Sequence, residues 1–596
     1  MRRLKESMKR LIILFNEREK KNLIFLFFLM IIAALFETVG IGLIVPFVGI
    51  LTNPKIIKEQ EILSFFYNLL GFETATTFMI FSVITLLLIF VFKNIYLLFF
   101  QYAQYKVILN QQVRLSQDLF REYLTKPFSF HIQRNSADLL RNVNSEVSKV
   151  FQGIILSGFQ LFTEILVIIC ISILLLMTAP LATLTASILL GGSVFLFFKI
   201  FRKKISQLGI EQQKVNGTMI KWVNQGLGAS KEVKVAGKEN FFVKAYTKHS
   251  QVRANNSRYI KMLENVPRLF IETLLVSVVL ITMLMIILQD TNTSQLISTM
   301  ALFSMAAFRL MPSINRVVGM ITTIRYSQPA LTVIYEDLFN NRDKTGKITN
   351  VKEDEIFLVN KGERIFNNSI QLTNVSFRYP NQKKYSVKNI SLTIPIGKSV
   401  AFIGESGAGK TTIVDIILGL FEPEQGRVLV DGKDLSNQKK LWQKKIGYIP
   451  QSIFLSDDSI KGNIAFGVEN DLIDEKEVWR ALEQAQLKEF VESLPDKLDT
   501  TVGERGVRLS GGQRQRIGIA RALYHNPEIL FMDEATSALD NDTEKEIMLA
   551  IDGLKGEKTL IIIAHRLSTI ENCDIVYEIS NGRLKSICNE VNKSVI

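Results

Sequence analysis

A helical membrane domain followed by an α/β domain is the fold class that this 596-residue sequence predicts. Three observations predict it. Hydrophobic residues make up 47% of the chain, which is too apolar a composition for several ordinary soluble domains. Six long apolar stretches occupy the first half, and each is near the roughly 20 residues that a helix needs to cross a bilayer. From residue 357 onward the chain instead alternates short β-like runs with helical runs.

The apolar stretches predict six membrane-spanning helices. They cover residues 22–51, 78–103, 151–179, 181–201, 268–288 and 293–321. The segment before the first stretch is rich in lysine and arginine, which places the N-terminus in the cytoplasm by the positive-inside rule. Six crossings return the C-terminus to the same side, so we expect a multi-pass protein of the cytoplasmic (inner) membrane with both termini in the cytoplasm.

The polar stretches between the spans predict further helices. Residues 56–72 ("IIKEQEILSFFYNLLGF") fit either an amphipathic helix on the outer membrane surface or a loop helix packed on the spans. Residues 104–150 and 202–267 keep a helical apolar rhythm, so the spans are expected to continue into the cytoplasm. The predicted N-terminal cytoplasmic segment, membrane domain, linker and α/β domain cover residues 1–21, 22–335, 336–356 and 357–596.

The charge and the cysteines exclude some classes of protein. Much of the net charge of +14 flanks apolar stretches, where lysine and arginine act as topology signals, so no nucleic-acid partner is expected. The three cysteines, Cys170, Cys573 and Cys588, lack metal-ligand spacing, and no disulfide framework is predicted.

A phosphate-binding loop is predicted within residues 399–420 ("SVAFIGESGAGKTTIVDIILGL"). A β-rich run, a glycine-rich loop and a helical run follow one another there, which is the context that a P-loop requires. Its backbone N–H groups and the helix N-terminus suit phosphates, Lys410 is expected to reach the β- and γ-phosphates, and Thr411 to ligate Mg²⁺. The predicted nucleotide-binding residues of this loop are Gly404, Glu405, Ser406, Gly407, Ala408, Gly409, Lys410, Thr411 and Thr412.

Polar residues at the ends of two later apolar runs suit hydrolysis of a nucleotide. "EILFMDEATSALD" contains a strand-like run that ends in Asp533 and Glu534. Asp533 is expected to hold the Mg²⁺ shell, and Glu534 to polarise the attacking water. His565 ends the run "TLIIIAH" and is placed to contact the γ-phosphate. We predict Glu534 and His565 as the catalytic residues.

A second phosphate-binding element lies at residues 508–523 ("RLSGGQRQRIGIARAL"), where Ser510, Gly511 and Gly512 open a predicted helix. The order of these motifs, together with "SALD", resembles the nucleotide-binding domain of ABC transporters over roughly residues 360–590. With six spans ahead of that domain, nearly the whole chain resembles an ABC exporter half-transporter of the type IV fold.

The resemblance implies cofactors, a partner and further site residues. Tyr379, in "VSFRYP", matches the aromatic residue that stacks on adenine, and Gln451 matches the glutamine that contacts Mg²⁺. In this family the signature of one subunit covers the ATP held by the other, which gives Ser510, Gly512 and Gln513 a role in trans. ATP and Mg²⁺ are therefore the implied cofactors. A homodimer is favoured because Glu534 and His565 are both present, and a heterodimer with another half-transporter stays open.

Two intracellular segments resemble the coupling-helix regions of the family. They are residues 134–147 ("RNSADLLRNVNSEV") and residues 226–242 ("GLGASKEVKVAGKENFF"). In the family such regions press onto the nucleotide domains and carry ATP-driven closure to the spans, a two-state switch biased by ligand.

Charged residues inside the apolar stretches bear on the cargo, because each ionised residue at mid-membrane costs about 2.5–3.5 kcal/mol on insertion scales. Lys93 and Arg309 lie at similar depths when residues are counted from the outer ends of their spans. Glu37, Glu164 and Glu272 fall near the same level. Ion pairs between helices are therefore one interpretation.

Arg316 favours a second interpretation. It lies seven residues beyond Arg309, hence on the same helix face and about 10 Å deeper, where no acidic residue of the spans is expected. A row of cations, doubled in a homodimer, suits a phosphate or pyrophosphate that moves through a cavity. Pro312 lies between the two arginines and could kink the helix.

The same segments resemble PglK-type flippases of lipid-linked oligosaccharides. The resemblance lies in "FETVGIGLIVPFV" of the first span, "FRLMPSINR" of the sixth, Lys93 of the second and the short outer helix. It implies that Lys93, Arg309 and Arg316 receive the pyrophosphate of a polyprenyl-linked glycan, although a lysine lacks the bidentate geometry of arginine. The expected function is ATP-driven flipping of this glycolipid from the inner to the outer leaflet, with membrane lipids as further partners. The alternative is a general exporter of lipids or amphiphilic drugs.

Overall fold

The structure is a computed structural model in which the chain divides into two units. It describes residues 2–43, 47, 50, 54, 57, 60–178, 180–287, 293–340, 365–533, 549, 551–564, 570 and 573–589. Within several helices, including residues 301–309, the description is limited to the backbone. The first unit consists of Met1–Lys126 and Arg134–Thr349, and the second of Pro127–Gln133 and Asn350–Ile596.

The described residues of the first unit are mainly helical. Numbered in chain order, the helices as far as residue 340 are α1 (Arg2–Ile13), α2 (Glu17–Gly42), α3 (Glu61–Leu69), α4 (Ala75–Thr125), α5 (Phe128–Gln133, in the second unit), α6 (Ser136–Arg141), α7 (Ser157–Thr178), α8 (Pro180–Gly228), α9 (Ser230–Val235), α10 (Glu239–Ile287) and α11 (Thr293–Tyr335). Three π-helical stretches, Asn142–Glu146, Lys149–Leu156 and Glu336–Asn340, adjoin them.

The lengths of these helices agree with the predicted membrane domain. Among the described residues, three helical stretches are long and apolar enough to cross a membrane: Glu17–Gly40, Ala75–Thr125 and Ser136–Met177. The other three predicted spans lie in α8, α10 and α11, each of which includes residues outside those described in full. Helices α4, α8 and α10 contain 51, 49 and 49 residues, more than twice what a bilayer requires, so the predicted long extensions are confirmed.

The predicted outer helix is α3, and its two faces differ. Leu63 and Tyr67 pack against a small cluster that includes the buried Phe78 of α4. On the opposite side, Phe65 and Phe66 are 60% and 48% exposed. The structure therefore shows a helix packed on a span through one face, and contact of its exposed apolar face with the membrane surface remains a prediction.

Close backbone contacts hold the helices of the first unit together. A Cβ atom at Gly209 of α8 would lie 2.3 Å from the carbonyl oxygen of Tyr326 in α11. A Cβ atom at Gly153 would lie 2.1 Å from the hydroxyl oxygen of Ser327. Only glycine permits such an approach, so these two crossings are fixed by the absence of a side chain.

A buried polar cluster joins the cytoplasmic end of α4 to the chain after α11. The carboxylate of Asp337, 3% exposed, accepts hydrogen bonds from the Tyr123 hydroxyl (2.5 Å) and the Asn142 amide (2.9 Å). Arg134 lies 3.5 Å from its other oxygen. Residues 336–340, placed at the start of the predicted linker, are thus packed within the first unit, and residues 341–356 lie outside the described part. The domain limits remain predictions.

The described residues of the second unit form two sheets. Its strands are β1 (Ser369–Phe377), β2 (Val387–Pro395), β3 (Ser399–Ile403), β4 (Gln425–Val430), β5 (Lys433–Asp434), β6 (Ile446–Ile449), β7 (Ile529–Asp533), β8 (Thr559–Ile563), β9 (Ile575–Ser580) and β10 (Arg583–Asn589). One antiparallel sheet has the order β2-β1-β4-β5, and the other has the order β10-β9-β3-β8-β7-β6, parallel from β9 to β6. Every residue of β7 and β8 is buried, as expected at the centre of a parallel sheet.

Six described helices accompany these sheets. They are α12 (Lys410–Ile417), α13 (Lys439–Lys445), α14 (Ile460–Ile464), α15 (Glu475–Gln484), α16 (Lys488–Glu492) and α17 (Gly511–Tyr524). This arrangement of helices around a mainly parallel sheet confirms the predicted α/β fold.

The first predicted coupling region begins at a boundary between the two units along the chain. Residues 134–147 belong to the first unit, whereas the seven residues before them, Pro127–Gln133, belong to the second. The ring of Phe128 lies 5.7 Å from that of Phe421, measured between centroids. The short helix α5, in "PFSFHIQ", therefore packs within the second unit, and the coupling role of residues 134–147 stays a prediction.

Candidate functional site

The predicted nucleotide residues follow neighbouring parallel strands. The P-loop begins directly after β3, Asp533 is the last residue of β7, and Gln451 lies two residues beyond β6. Because β3, β8, β7 and β6 are adjacent and parallel, their carboxyl ends meet at one edge of the sheet, where ligands of open α/β sheets bind. Glu534 and His565 follow β7 and β8 in the sequence, and both lie outside the described residues.

Glycine is required at two positions of the P-loop. Gly404 has φ +139°, and a Cβ atom there would lie 2.1 Å from the carbonyl oxygen of Ile579. Gly409 has φ +107°, and its Cβ atom would lie 2.7 Å from the carbonyl oxygen of Ser386. These backbone conformations turn the chain sharply into α12, whose first N–H groups have no partner within the helix and suit a phosphate.

Lys410 lies inside the loop that it follows. Lys410 is only 5% exposed, and its ammonium donates to the carbonyl oxygens of Gly404 (2.8 Å) and Glu405 (3.1 Å). The loop thus wraps around one fixed positive charge. A bound polyphosphate would receive both this charge and the backbone N–H groups of the loop.

Two acidic residues concentrate negative charge beside Thr411. Burial and the nearby carboxylate of Asp533 raise the pKa of Asp415, on α12, to about 6. The same two causes, burial and then the Asp533 carboxylate, raise the pKa of Tyr448 to about 12. The hydroxyl of Thr411, the carboxylate of Asp533 and the amide oxygen of Gln451 are the hard oxygen ligands that Mg²⁺ prefers, and the crowded negative charge fits a divalent cation. Sequence reasoning missed Asp415, because its position within α12 carries no motif of its own.

Tyr379 is held by one hydrogen bond and two rings. Its hydroxyl lies 3.1 Å from that of Thr412, the second threonine of the P-loop. Its ring meets those of Phe377 and Phe421 edge-to-face, at centroid distances of 5.3 and 5.5 Å. The resemblance proposed Tyr379 for this site, whereas sequence reasoning missed Phe421, which lies 42 residues away in the chain and belongs to no predicted motif.

The second predicted phosphate-binding element, residues 508–523, begins α17 with a capping box. The hydroxyl of Ser510 accepts from the backbone N–H of Gln513 (3.2 Å), and the side-chain oxygen of Gln513 accepts from the N–H of Ser510 (2.9 Å). A Cβ atom at Gly511 would have nothing within 4 Å. The first turn of this 14-residue helix is therefore rigid and open, which suits an approaching anion.

The three predicted membrane cations have different surroundings. The ammonium of Lys93 lies 4.8 Å from the ring centroid of Phe90 and 3.7 Å from the position that a Cβ atom at Gly40 would take, and Lys93 forms no ion pair with another described residue. The side chain of Arg309 lies outside the described residues. Arg316 forms an ion pair with Glu164, with 2.6 Å between Nε and Oε1.

The pairing of Arg316 corrects the sequence-based expectation that no acidic residue of the spans lies at its level. Glu164 is 14 residues from the end of α7, whereas Arg316 is 23 residues from the start of α11. Beyond the ion pair, in the direction of the end of α7 and the start of α11, α11 therefore extends about 14 Å further than α7. The sequence-based count assumed that the end of α7 and the start of α11 lie at the same depth. The ion pair between the two helices shows that their ends lie at different depths.

Comparisons with known proteins agree with this architecture. A family model described as "ABC transporter" matches residues 387–537, and one described as "ABC transporter transmembrane region" matches residues 22–311. The "ATP-dependent lipid A-core flippase" of Cupriavidus pinatubonensis is 30% identical over 480 residues, which cover 79% of this chain and 78% of the relative. The "Heterocyst differentiation ATP-binding protein HepA" of Nostoc is 28% identical over 93% of this chain and 88% of its own.

One solved structure supports the fold over nearly the full length. A bacterial Atm1-family ABC exporter with ATP bound superposes with a TM-score of 0.76 and covers 96% of each chain. Its sequence is 21% identical, so the likeness concerns the fold alone.

Proposed function

The chain belongs to the ABC transporter family, as an exporter half-transporter that hydrolyses ATP to drive transport, and we propose that its cargo is a lipid-linked oligosaccharide. In this proposal the protein flips a polyprenyl-pyrophosphate glycan from the inner to the outer leaflet. It does so as a homodimer in the cytoplasmic membrane, with both termini in the cytoplasm. The broader statement that the protein exports a lipid is supported by relatives that are named lipid A-core flippases.

Hydrolysis is proposed to use the residues at the sheet edge. Lys410 and the P-loop N–H groups hold the phosphates, and Tyr379 contacts adenine. Mg²⁺, held by Thr411, Asp533 and Gln451, would neutralise charge on the β- and γ-phosphates when bound. The remaining proposed roles are activation of water by Glu534, contact with the γ-phosphate by His565, and binding of the partner subunit's ATP by Ser510, Gly512 and Gln513.

One observation carries the proposed cargo. Lys93 lies in an apolar stretch of α4 and forms no ion pair with another described residue. A cation in such an apolar environment is costly unless a counter-charge or a ligand stabilises it. An anionic headgroup that passes through the membrane would supply that counter-charge. Because Glu164 already neutralises Arg316, we assign the main anion contacts to Lys93 and Arg309, and a secondary contact to Arg316.

The outer helix supports an amphiphilic cargo. Phe65 and Phe66 of α3 are exposed, and they precede Leu69, which is 65% exposed. Exposed apolar and aromatic side chains of a helix at a membrane surface insert into the boundary between lipid headgroups and acyl chains. We propose that this face of α3 contacts lipid as the cargo reaches the outer leaflet.

The experiment is a flipping assay in proteoliposomes with a fluorescent polyprenyl-pyrophosphate oligosaccharide. We expect ATP-dependent flipping that stops in Glu534→Gln, falls at least tenfold in Lys93→Met and is largely kept in Lys93→Arg. Lys106→Met is the matched control, because it removes the same charge from an exposed position of the same helix beyond the predicted span. Its flipping rate should stay within twofold of the wild type.

Three outcomes would contradict parts of the proposal. If Lys93→Met flips normally, this lysine does not bind the pyrophosphate. If the pyrophosphate lipid is not flipped while neutral lipids or dyes are moved with ATP, the protein is a general amphiphile exporter. If a current flows passively while ATP is bound, it is a gated channel.

A further inference from the structure

A chain of aromatic rings connects α5 to the nucleotide site within the second unit. Phe128 contacts Phe421, with 5.7 Å between centroids and planes inclined by 50°. Phe421 in turn meets Tyr379 edge-to-face at 5.5 Å. The three residues come from three separate parts of the sequence, and Phe421 is the shared member of both contacts.

The middle of this chain is fixed. Phe421 is 4% exposed and stacks on the buried Phe377 at 4.8 Å, with planes only 29° apart. The loop that carries it is tied to the segment that carries Tyr379, because the N–H of Glu424 donates to the carbonyl of Ser376 at 2.9 Å. A rigid ring in contact with two others transmits the position of one to the other, since packed side chains have few alternative arrangements.

The two ends of the chain are more open. Phe128 is 41% exposed, and Tyr379 is half-buried, so each presents part of its ring outside the core. An adenine that stacks on Tyr379 would restrict this ring further, and the docking of α5 restricts Phe128. If both events favour the same position of Phe421, each stabilises the other, because coupling between two sites is reciprocal.

We propose that Phe421 is a positioning residue that holds Tyr379 for adenine and is itself held by Phe128, so that adenine binding and the docking of α5 stabilise each other. The inference rests on the proposed contact between Tyr379 and adenine. It assigns to α5, in the middle of a membrane-domain sequence, a direct effect on affinity for the base of the nucleotide.

The test compares ATP with inorganic tripolyphosphate, which has no base, in the full-length protein in proteoliposomes. Phe421→Leu removes the ring and keeps an apolar side chain. We expect it to raise the KM for ATP about three- to tenfold, the range that one aromatic pair supports, and to leave kcat within twofold. Inhibition by tripolyphosphate should be unchanged, because the P-loop is unaffected. Phe421→Tyr, which restores the ring, should return the KM to near the wild-type value.

Two further variants test the connection to α5. Phe128→Leu should raise the KM for ATP in the same direction by about two- to threefold, and the double variant Phe128→Leu/Phe421→Leu should be no worse than Phe421→Leu alone. Phe366→Leu is the matched control, because Phe366 is a buried phenylalanine of the same core that packs on Trp442 and not on Tyr379. It should change neither the KM for ATP nor the inhibition by tripolyphosphate.

The results separate two kinds of failure. If Tyr379→Leu leaves the KM for ATP unchanged, the proposed adenine contact itself is wrong. If Tyr379→Leu raises the KM while Phe421→Leu does not, or if Phe421→Leu weakens ATP and tripolyphosphate equally, the positioning role is overturned and the adenine contact stands. Strict additivity of Phe128→Leu and Phe421→Leu would overturn the connection to α5.

Discussion

Arg316 and Glu164 form an ion pair between α11 and α7, with 2.6 Å between Nε and Oε1. The two partners differ in surroundings, since the Glu164 side chain is 12% exposed and that of Arg316 is 41% exposed. The carboxylate is therefore the member that depends on the pair. The guanidinium, which extends toward open space, can be shared with another anion.

Removal of one partner should destabilise the membrane domain. In Arg316→Met the largely buried Glu164 carboxylate loses its counter-charge, and we expect a loss of about 2 kcal/mol, less than for a fully buried pair because Arg316 is partly exposed. The double variant Glu164→Gln/Arg316→Met should recover most of that loss. Thermal unfolding in detergent measures both, and equal melting temperatures for the wild type and Arg316→Met would contradict the prediction.

The hydroxyl of Tyr123, bonded to the buried Asp337, should contribute more to the free energy of unfolding than the hydroxyl of an exposed tyrosine on the same helix. Tyr123→Phe removes the hydroxyl that donates to Asp337 and leaves the carboxylate with one fewer hydrogen bond, at a cost of about 1–3 kcal/mol. Tyr105→Phe is the control, because Tyr105 is 42% exposed on the same helix. Thermal unfolding should separate the two variants by several degrees, and indistinguishable curves would show that the Tyr123 hydroxyl contributes nothing to stability.

The crossing of α8 and α11 should not tolerate a methyl group. In Gly209→Ala the new Cβ atom meets the carbonyl oxygen of Tyr326, so the two helices must separate, and we expect a loss of about 1–3 kcal/mol. Gly158→Ala is the matched control, since it is also helical and has nothing within 4 Å of its Cβ position. Alanine favours a helix over glycine, so this control should be neutral or slightly stabilising. Similar melting temperatures for the two variants would be inconsistent with the close contact.

Two cysteines of the second unit should differ in reactivity. Burial raises the pKa of the Cys573 thiol to about 11, whereas Cys588 on β10 is exposed. Because the thiolate is the reactive form and must be reached by the reagent, a maleimide at pH 7.5 should label Cys588 at least tenfold faster. The measurement uses a Cys170→Ser background and mass spectrometry, with labelling in denaturant as the reference for full reaction. Comparable rates in the folded protein would refute the prediction.

The sequence allowed a nucleotide site to be predicted because the motifs of that site are local. The P-loop residues, Asp533 and Gln451 each follow a short β-like run, and parallel strands bring the ends of such runs to one edge. Phe421 and Asp415 were missed, since their roles arise only from contacts with Tyr379 and Asp533 that no spacing in the chain records.

The membrane domain shows where counting along helices reaches its limit. The lengths of α4, α8 and α10 were predicted from their apolar rhythm, because that rhythm is a property of a single helix. The partner of Arg316 was not, because the axial offset between α7 and α11 is set by packing between helices. The same holds for Asp337, which sits in a polar stretch that reads as a linker and is buried through contacts with Tyr123 and Asn142.

The position of α5 in the chain has a consequence for biosynthesis. Phe128 is made nearly three hundred residues before Phe421, so at a ribosome that adds about 5–20 residues per second the helix waits for its partner for at least about 15 seconds. During that interval the exposed aromatic residues of "PFSFHIQ" are a surface that chaperones and proteases can bind. A nucleotide domain expressed alone from residue 357 would lack α5 and leave one side of Phe421 uncovered.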